Sequence, residues 1–195
     1  MRISVIGAGN VGSVLARRLT ETGHEVTTAT SATPVAELAA QAGAVELVVL
    51  AVPFAAVAGL DEAVKAALRD KIVVDATNPL AADFMSLTVG HTTSGGEQVA
   101  AALPGATVVK AFNSVFAGRL GEPDTAAGPL FLPVAGDDEA ARKTVVELGT
   151  QLGFDAVDVG PLANARYLEP VIELLIQLAF GKGMGDGIGL VLTRK

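Results

Sequence analysis

The sequence predicts an α/β fold, with a doubly wound and mostly parallel sheet that is covered by helices. Two observations support this prediction. Short apolar runs alternate with stretches in which apolar residues recur at helical spacing, which is typical of a parallel sheet with covering helices. The composition agrees, because 50% of the residues are hydrophobic but only 4% are aromatic. The core must therefore be built from Ala, Val and Leu, which suit helices packed on a buried sheet.

The predicted elements follow one another at short intervals. In the first helical stretch, Val11, Val14, Leu15 and Leu19 fall on one side, and Gly23 closes the helix. The predicted strands are residues 2–6, 25–28, 46–52, 71–76, 107–112, 131–135 and 155–159. The predicted helices are residues 11–22, 33–42, 54–68, 97–103 and 137–152. Residues 118–129 are rich in Gly, Pro and Ala and are predicted to form a surface loop.

Residues 43–60 form a stretch that is nearly long enough and apolar enough to span a membrane. Glu46 lies near its start and Pro53 lies in its middle. A buried strand that ends at Pro53, followed by a helix, explains this stretch better. We therefore expect no membrane-spanning segment. Because the chain begins directly with a predicted strand and shows no signal peptide, we expect a cytoplasmic protein.

The loop after the first predicted strand reads Gly7-Ala8-Gly9-Asn10-Val11-Gly12. Such a loop between a strand and a helix is the fingerprint of a Rossmann-type dinucleotide-binding fold. Gly7 allows the tight turn, Gly9 lets the backbone approach a pyrophosphate, and Gly12 lets the helix pack close to the strand. The free N–H groups at the start of the helix would point at the phosphates. The alternative is a glycine turn in an α/β domain that binds no nucleotide.

The end of the second predicted strand bears on the choice between NAD and NADP. An NAD site usually has Asp or Glu there for the ribose hydroxyls. This chain instead has Thr30, Ser31 and Thr33, whose hydroxyls can donate hydrogen bonds to a 2′-phosphate. No arginine follows to add a cationic clamp. These residues favour NADP, and the alternative is that the hydroxyls only cap the next helix.

The end of the chain differs from the repeating pattern before it. Residues 164–180 are predicted to be a strongly apolar helix that is kinked or restarted at Pro170. Its apolar face, formed by Val171, Leu174, Leu175 and Leu178, is predicted to be core or a homodimer interface. Residues 181–189 contain five glycines. We expect residues 1–160 to form the dinucleotide-binding domain, and residues 161–195 to pack on it without being an independent domain.

The charge and the residue types exclude several classes of function. The formal net charge of −7 argues against a nucleic-acid partner, which needs a basic face. The absence of cysteine excludes disulfides, thiolate catalysis and cysteine metal sites. Asp137 and Asp138 are interpreted as acids at a helix start, where the dipole favours them, and not as a metal pair. No metal site is predicted.

Several segments together resemble the NADP-linked oxidoreductases that use coenzyme F420, a deazaflavin. They are VIGAGNVGSVLARRL with GHEV after it, LAVPFAAV, KIVVDATNPL, VVKAFNSV, GDDEAARKTVVELGTQLGFDAVDVGPLANARYLEP and GKGMGDGIGLVL. The resemblance covers nearly the whole chain and extends to the cytoplasmic reductase domain of six-transmembrane metalloreductases, which use flavin. The GPLANAR element and the GMG-containing tail make it more specific than the glycine loop alone.

The resemblance implies roles for individual residues. Thr30 and Ser31 would hold the 2′-phosphate, although the family often has Ser-Arg there. Residues 51–53 and 78–79 would line the nicotinamide and its ribose. The second redox partner would approach residues 110–113, where some members that use deazaflavin carry a histidine, and Met184 would form the far wall. The predicted cofactor-binding residues are Gly7, Gly9, Asn10, Val11, Gly12, Thr30, Ser31, Ala51, Val52, Pro53, Asn78, Pro79, Ala111, Phe112, Asn113 and Met184.

The resemblance implies hydride transfer between NADPH and a deazaflavin or flavin-type acceptor, with F420 as the first choice. Such a reaction needs no catalytic acid or nucleophile, because the protein only positions two rings and excludes water. The alternatives are a reductase of a small imine or carbonyl substrate and a sensor that binds NADP(H) without turnover.

Five polar residues have both a functional and a structural interpretation. His24 is expected at the surface, and His91 in an exposed loop or against substrate. Lys110 binds an anionic partner or pairs with a carboxylate. Asn164 is a ligand or a helix N-cap, and Arg166 meets a cofactor phosphate or forms a salt bridge.

Overall fold

The computed structural model describes residues 1–194 and confirms the predicted fold class. Its strands are β1 (Arg2–Ile6), β2 (Glu25–Ala29), β3 (Leu47–Leu50), β4 (Ile72–Asp75), β5 (Thr107–Lys110), β6 (Phe131–Gly136) and β7 (Asp155–Asp158). They form one sheet in the order β2-β1-β3-β4-β5-β6-β7. Every neighbouring pair is parallel except β5 and β6, which pair antiparallel.

Helices connect these strands over the ranges that the apolar spacing predicts, with two differences. They are α1 (Asn10–Glu21), α2 (Val35–Gly43), α3 (Phe54–Ala58), α4 (Glu62–Ala67), α5 (Gly95–Ala102), α6 (Ala117–Leu120), α7 (Glu139–Gln151) and α8 (Ala165–Ile176). The single helix predicted over residues 54–68 is two helices, because Gly59 ends the first and the Asp61 side chain caps the second through Ala63 N–H. The predicted loop over residues 118–129 begins with the short helix α6.

The core lies on both faces of the sheet. Alternate residues of the inner strands enter opposite layers, as Val48 and Val49 of β3 do. Leu15 of α1 and Val145 of α7 belong to one layer, and Leu38 of α2 belongs to the other. This double covering explains why the strands are uniformly apolar instead of alternating.

The strand order reverses at β1, which has β2 on one side and β3 on the other. Ile6 at the end of β1 is in register with Ala29 of β2 and Leu50 of β3. The segments that follow these three strands therefore leave the sheet side by side. Ligands of open α/β sheets bind in the crevice at such a reversal.

The C-terminal helix departs from the prediction in its continuity and in its buried face. α8 runs through Pro170 without interruption and ends at Ile176, where a π-helical turn (Gln177–Gly181) follows. Of the four residues of the predicted apolar face only Leu175 is buried, and Leu174 is 60% exposed. The buried side instead contains Glu169, which faces α5. The hydrophobic pattern alone could not show this orientation, because it treats Glu169 as a solvent-facing residue. The buried residues of α8 are Ala165, Leu168, Glu169, Ile172, Leu175 and Ile176.

Within residues 1–194, no helix combines the length and the apolar character that crossing a membrane would require.

Candidate functional site

The three glycines of the loop after β1 occupy three different environments. Gly7 has a φ of 108°, and a Cβ on it would overlap the Ala51 carbonyl. A Cβ on Gly12 would overlap the Gly7 carbonyl, so α1 can lie this close to the loop only without a side chain there. A Cβ on Gly9 would meet no atom of the chain within 4 Å. Gly7 and Gly12 are therefore required by the fold, whereas the space beside Gly9 is open to a ligand.

The start of α1 faces that open space. Gly9 is the N-cap residue of α1, and no side chain caps the helix. The first N–H groups of a helix have no partner within the helix, and its positive dipole end favours anions. This geometry fits the pyrophosphate of a dinucleotide.

A cavity of about 640 Å³ opens between the ends of β1, β3 and β4, and we call it the glycine-loop cleft. The sequence predicted seven of the residues that line it, from the glycine loop, the end of β3 and Asn78. Others were missed, because apolar residues and two threonines, Thr77 and Thr88, carry no recognisable binding signal. The lining residues are Gly9, Asn10, Val11, Ala51, Val52, Pro53, Phe54, Ala55, Ala76, Thr77, Asn78, Leu80, Phe84 and Thr88.

The segment after β2 forms a turn held by its own hydroxyls. Thr30 N–H donates to Thr33 Oγ1 at 3.0 Å, and Ala32 N–H donates to Thr30 Oγ1 at 3.2 Å. The alternative that these hydroxyls cap the next helix is not realised, since α2 begins after Pro34 without a side-chain cap. Thr30 and Ser31 are exposed, and the Gly7 N–H donates to Ala29 O, which joins this turn to the glycine loop. Both hydroxyls are therefore free to donate to a phosphate.

Asn78 and Asn113 are brought together across the ends of β4 and β5. The Asn78 side-chain amide donates to Asn113 O at 3.0 Å, and the Asn113 amide donates to Asn78 Oδ1 at 3.0 Å. Asn113 Oδ1 and the neighbouring Thr77 Oγ1 are buried without a hydrogen-bond partner. Buried polar atoms without partners are uncommon. Their position beside the cleft fits a polar group such as the carboxamide of a nicotinamide.

The structure corrects the predicted positions of Ala111, Phe112 and Met184. Phe112 has a φ of 64°, is only 3% exposed and packs edge-to-face on Phe154 in the core. Ala111 is fully buried, so neither side chain lines the cleft. Met184 is 59% exposed, its N–H donates to Leu178 O, and it does not line the glycine-loop cleft. Pro79 is buried directly behind the cleft.

A second cavity, of about 460 Å³, lies beside the glycine-loop cleft and shares Leu80 and Phe84 with it. We call it the apolar cavity. Its wall comes from the segment after β4, from Phe116 at the start of α6, and from the end of α8 with the turn that follows. The sequence pattern did not reveal this position. The lining residues are Leu80, Asp83, Phe84, Met85, Phe116, Ile176 and Phe180.

Lys110 is fully buried and pairs with two carboxylates, so the interpretation as a paired lysine is confirmed. Its Nζ lies 2.9 Å from Asp75 Oδ2 and 3.1 Å from Glu169 Oε1, and it donates to Thr77 O at 2.7 Å. Because two carboxylates and a carbonyl surround its ammonium group and none of it is exposed to solvent, Lys110 is closed to an anionic partner.

Arg166 forms a salt bridge, with Nη2 at 2.6 Å and Nε at 2.8 Å from the two oxygens of Glu97. The hydrogen bond from Arg166 is the largest cause that holds the pKa of Glu97 below its ordinary value, and the Ser94 hydroxyl contributes. Asn164 occupies the N-cap position of α8, but its side chain donates to Val159 O instead of capping the helix.

The remaining polar candidates have structural partners or face solvent. Asp138 caps α7 through Ala141 N–H, as predicted, and Asp137 accepts from Leu162 N–H. His24 bonds to Gln151 near the surface, and His91 is exposed. Among residues 1–194, no group of three or more potential ligands could hold a metal ion.

Residues 2–79 match the family model described as NADP oxidoreductase, coenzyme F420-dependent. The F420-dependent NADP reductase of Methanothermobacter thermautotrophicus is 31% identical over 91% of this chain and 89% of its own length. Metalloreductase STEAP3 of Rattus norvegicus is 36% identical over 53% of this chain, but the match spans only 20% of that larger protein.

Comparison of structures agrees with comparison of sequences. A solved structure from Arthrobacter sp. FB24, assigned to the F420-dependent NADP reductases, superposes with a TM-score of 0.88 at 32% identity over 100% of both chains. An imine reductase of Myxococcus stipitatus superposes with a TM-score of 0.65 at 20% identity and covers 94% of this chain and 62% of its own, which shows a shared fold only. The chain therefore belongs to the family of F420-dependent NADP reductases.

Proposed function

We propose that this chain transfers hydride between NADPH and coenzyme F420. The observation that carries the proposal is the pair of adjoining cavities, one beginning at the glycine loop at the strand reversal and the other apolar. They share Leu80 and Phe84, so two ligands bound in them would meet at these residues. Membership of the family supports the same activity.

The glycine-loop cleft would hold NADPH. Gly9, Asn10 and Val11 would receive the pyrophosphate at the start of α1, and residues 51–53 would line the ribose on the nicotinamide side. Asn78 and Asn113 would face the nicotinamide end, where Asn113 Oδ1 and Thr77 Oγ1 lack partners. Of the other predicted residues, Gly7 and Gly12 support this binding through the shape of the loop.

The 2′-phosphate that distinguishes NADPH from NADH would lie on the turn after β2. The Thr30 and Ser31 hydroxyls can each donate to it, and residues 28–34 contain no carboxylate to repel it. The same turn contains no arginine or lysine. We therefore expect a preference for NADPH that is smaller than an arginine clamp would produce.

The apolar cavity would hold the tricyclic ring of the acceptor. Phe84, Phe116 and Phe180 offer aromatic surface, and Phe116 and Phe180 pack edge-to-face at 6.0 Å. Nicotinamide and deazaflavin rings supply the hydride chemistry themselves. The residues of this chain orient the two rings and exclude water, which is why no acid, base or nucleophile is assigned.

A cofactor screen tests this proposal directly. NADPH and NADH are each mixed with F420, FMN or FAD and the purified protein, and oxidation is followed by absorbance. We expect turnover with NADPH and F420 to exceed that of every other pair. Binding of NADPH without hydride transfer to any of these acceptors would refute the proposal. In that case, a ligand-dependent change of oligomer would favour a sensor, and turnover of a small imine or carbonyl compound would favour the alternative reductase.

We further propose a cytoplasmic homodimer in which residues 161–195 are part of the single domain. Support for the dimer comes from the outer side of α8, where Tyr167 and Leu174 are exposed at helical spacing. Support for a single domain comes from Glu169, which α8 buries against α5. Light scattering should give twice the monomer mass, and Leu174→Glu should halve it. A monomeric wild-type protein would refute the dimer.

A further inference from the structure

Three charged side chains lie together beneath the glycine-loop cleft: Asp75 at the end of β4, Lys110 at the end of β5 and Glu169 in α8. We call them the Lys110 cluster. None is more than 1% exposed. Asp75 and Lys110 are direct partners in the register of β4 and β5, and Glu169 reaches the same lysine from the C-terminal helix.

Every charged atom of the cluster has a partner. Lys110 Nζ contacts Asp75, Glu169 and Thr77 O. Glu169 also accepts from Gly95 N–H at 2.8 Å and Gly96 N–H at 2.9 Å, at the start of α5. The positive end of that helix offsets the excess negative charge of two carboxylates and one ammonium group.

Stability alone does not account for such a cluster. Removing charges from water costs several kcal/mol for each ion, and well-packed apolar residues of similar volume stabilise a fold about as well. What the cluster adds is constraint, because displacing any one of the three partners would leave a buried charge uncompensated. The cluster therefore fixes the backbone that its members contact.

The backbone that it holds is that of Thr77, at the cleft. Thr77 N–H donates to Asp75 Oδ1 at 2.9 Å, and Thr77 O accepts from Lys110. Both backbone groups of one residue are therefore bound by the cluster. The next residue, Asn78, lines the cleft and pairs with Asn113, which lies three residues after Lys110.

The same cluster reaches the apolar cavity through α8. Glu169 ties this helix to Lys110, and Ile176, two turns further along the helix, lines the apolar cavity together with Phe180. One set of ion pairs thus connects the backbone at the nicotinamide end of the cleft with the wall of the acceptor cavity.

We infer that Asp75, Lys110 and Glu169 are positioning residues for hydride transfer, which set the distance and angle between the two rings. This inference rests on the proposed function. It predicts that disturbing the cluster slows the chemical step while leaving the adenosine end of NADPH undisturbed, because that end lies on the glycine loop and the turn after β2.

Glu169→Gln tests the inference. Glutamine offers one acceptor oxygen where glutamate offers two, so a donor of Gly95, Gly96 or Lys110 loses its partner. We expect kcat with NADPH and F420 to fall about tenfold or more, since small displacements of reacting groups cost that much. The primary isotope effect with 4-deuterated NADPH should rise, and the Kd of 2′,5′-ADP should stay within about twofold. The concentration of folded, binding-competent protein is taken from the 2′,5′-ADP titration, so that unfolded molecules do not lower the apparent kcat.

Glu97→Gln is the matched control, because Glu97 also joins α5 to α8, through Arg166, without touching Thr77. We expect it to lower stability and leave kcat and the isotope effect unchanged. If Glu169→Gln is insoluble, Glu169→Asp replaces it, with the same expectations. Equal kcat and isotope effects in the Glu169 and Glu97 variants would overturn the inference.

A second readout separates failure of this inference from failure of the proposed function. If the wild-type protein reduces no F420, the ratio of NADPH affinity to 2′,5′-ADP affinity still reports on the nicotinamide end. Glu169→Gln should lower that ratio about fivefold, which corresponds to the loss of roughly one hydrogen bond. An unchanged ratio would overturn the positioning role whatever the acceptor proves to be.

Discussion

Replacing Gly9 with alanine separates ligand binding at the glycine loop from its structural role. Gly9 has φ −74° and ψ −165°, which alanine also adopts, and a Cβ there meets nothing within 4 Å. Alanine restricts the conformations of the unfolded chain, which stabilises the folded protein by about 0.4–1 kcal/mol. Alanine is also a poorer N-cap residue than glycine, which destabilises the folded protein by a similar amount. The two effects oppose each other, so we expect the melting temperature to change by no more than about 3 °C.

The effect on NADPH should be much larger than the effect on stability. The added methyl group would hold the pyrophosphate away from the free N–H groups of α1. Losing one hydrogen bond to a charged group costs about 1.5–3 kcal/mol, which is roughly a 10- to 150-fold weaker Kd. Isothermal titration calorimetry measures the affinity, and differential scanning fluorimetry without ligand measures the stability.

Two other glycines serve as comparisons for Gly9→Ala. Gly12→Ala places a methyl group against the Gly7 carbonyl, so it should destabilise the protein itself by about 1–3 kcal/mol. Gly43→Ala has its nearest neighbour, Ala67 Cβ, at 4.0 Å and does not touch the cleft, so it should leave the NADPH affinity unchanged and raise stability by about 0.4–1 kcal/mol. If Gly9→Ala binds NADPH within about twofold of wild type, the dinucleotide does not cross this loop and the reasoning is wrong.

Three further predictions concern the ends of the site and its support. Ala32→Arg adds the missing cation beside Ser31, so the ratio of NADPH affinity to NADH affinity, measured by calorimetry, should rise about tenfold. An unchanged ratio would show that the 2′-phosphate binds elsewhere. Phe84 is 66% exposed and lines both cavities, so Phe84→Ala should raise the KM for F420 about fivefold. If the substitution weakened NADPH binding and left the KM for F420 unchanged, Phe84 would not form part of the acceptor cavity. Arg166→Met should lower the stability measured by urea unfolding at neutral pH, because it removes the partner of the Glu97 carboxylate. Because Arg166 lowers the pKa of Glu97 in the folded protein, this loss of stability should disappear as the pH falls through that lowered pKa. A loss of stability that did not change with pH would show that the charge of the pair is irrelevant.

The dinucleotide half of the site was predictable because its determinants are local. Glycines at fixed spacing between a strand and a helix constrain the backbone by themselves, and the structure places Gly7, Gly9 and Gly12 in the environments expected of them. Parallel strands end at one edge of a sheet, so the segments containing Pro53 and Asn78 were also expected there.

The acceptor half that we propose was not predictable, because its cavity is built from residues distant in the chain. The tail around Met184 was expected to form the wall, whereas the cavity that we propose for the acceptor is lined by Phe84, Phe116 and Phe180 and not by Met184. Phe112 follows β5, whose neighbour β4 ends at the cleft, but the backbone of Phe112 is left-handed and its ring lies in the core. Neither apolar spacing nor composition carries information about such a turn at a non-glycine residue.

By itself the sequence determined the α/β fold, the positions of the strands along the chain and the glycine loop. These features depend on hydrophobic periodicity and glycine spacing, which act over a few residues. Only the tertiary structure decided the orientation of α8, the apolar cavity and the burial of Lys110. Glu169 appears in the sequence as a charge on an apolar helix, and a charge is ordinarily expected in solvent. It can be buried only because a lysine from β5 and two N–H groups from α5 meet it there, and that meeting depends on the packing of three separate elements.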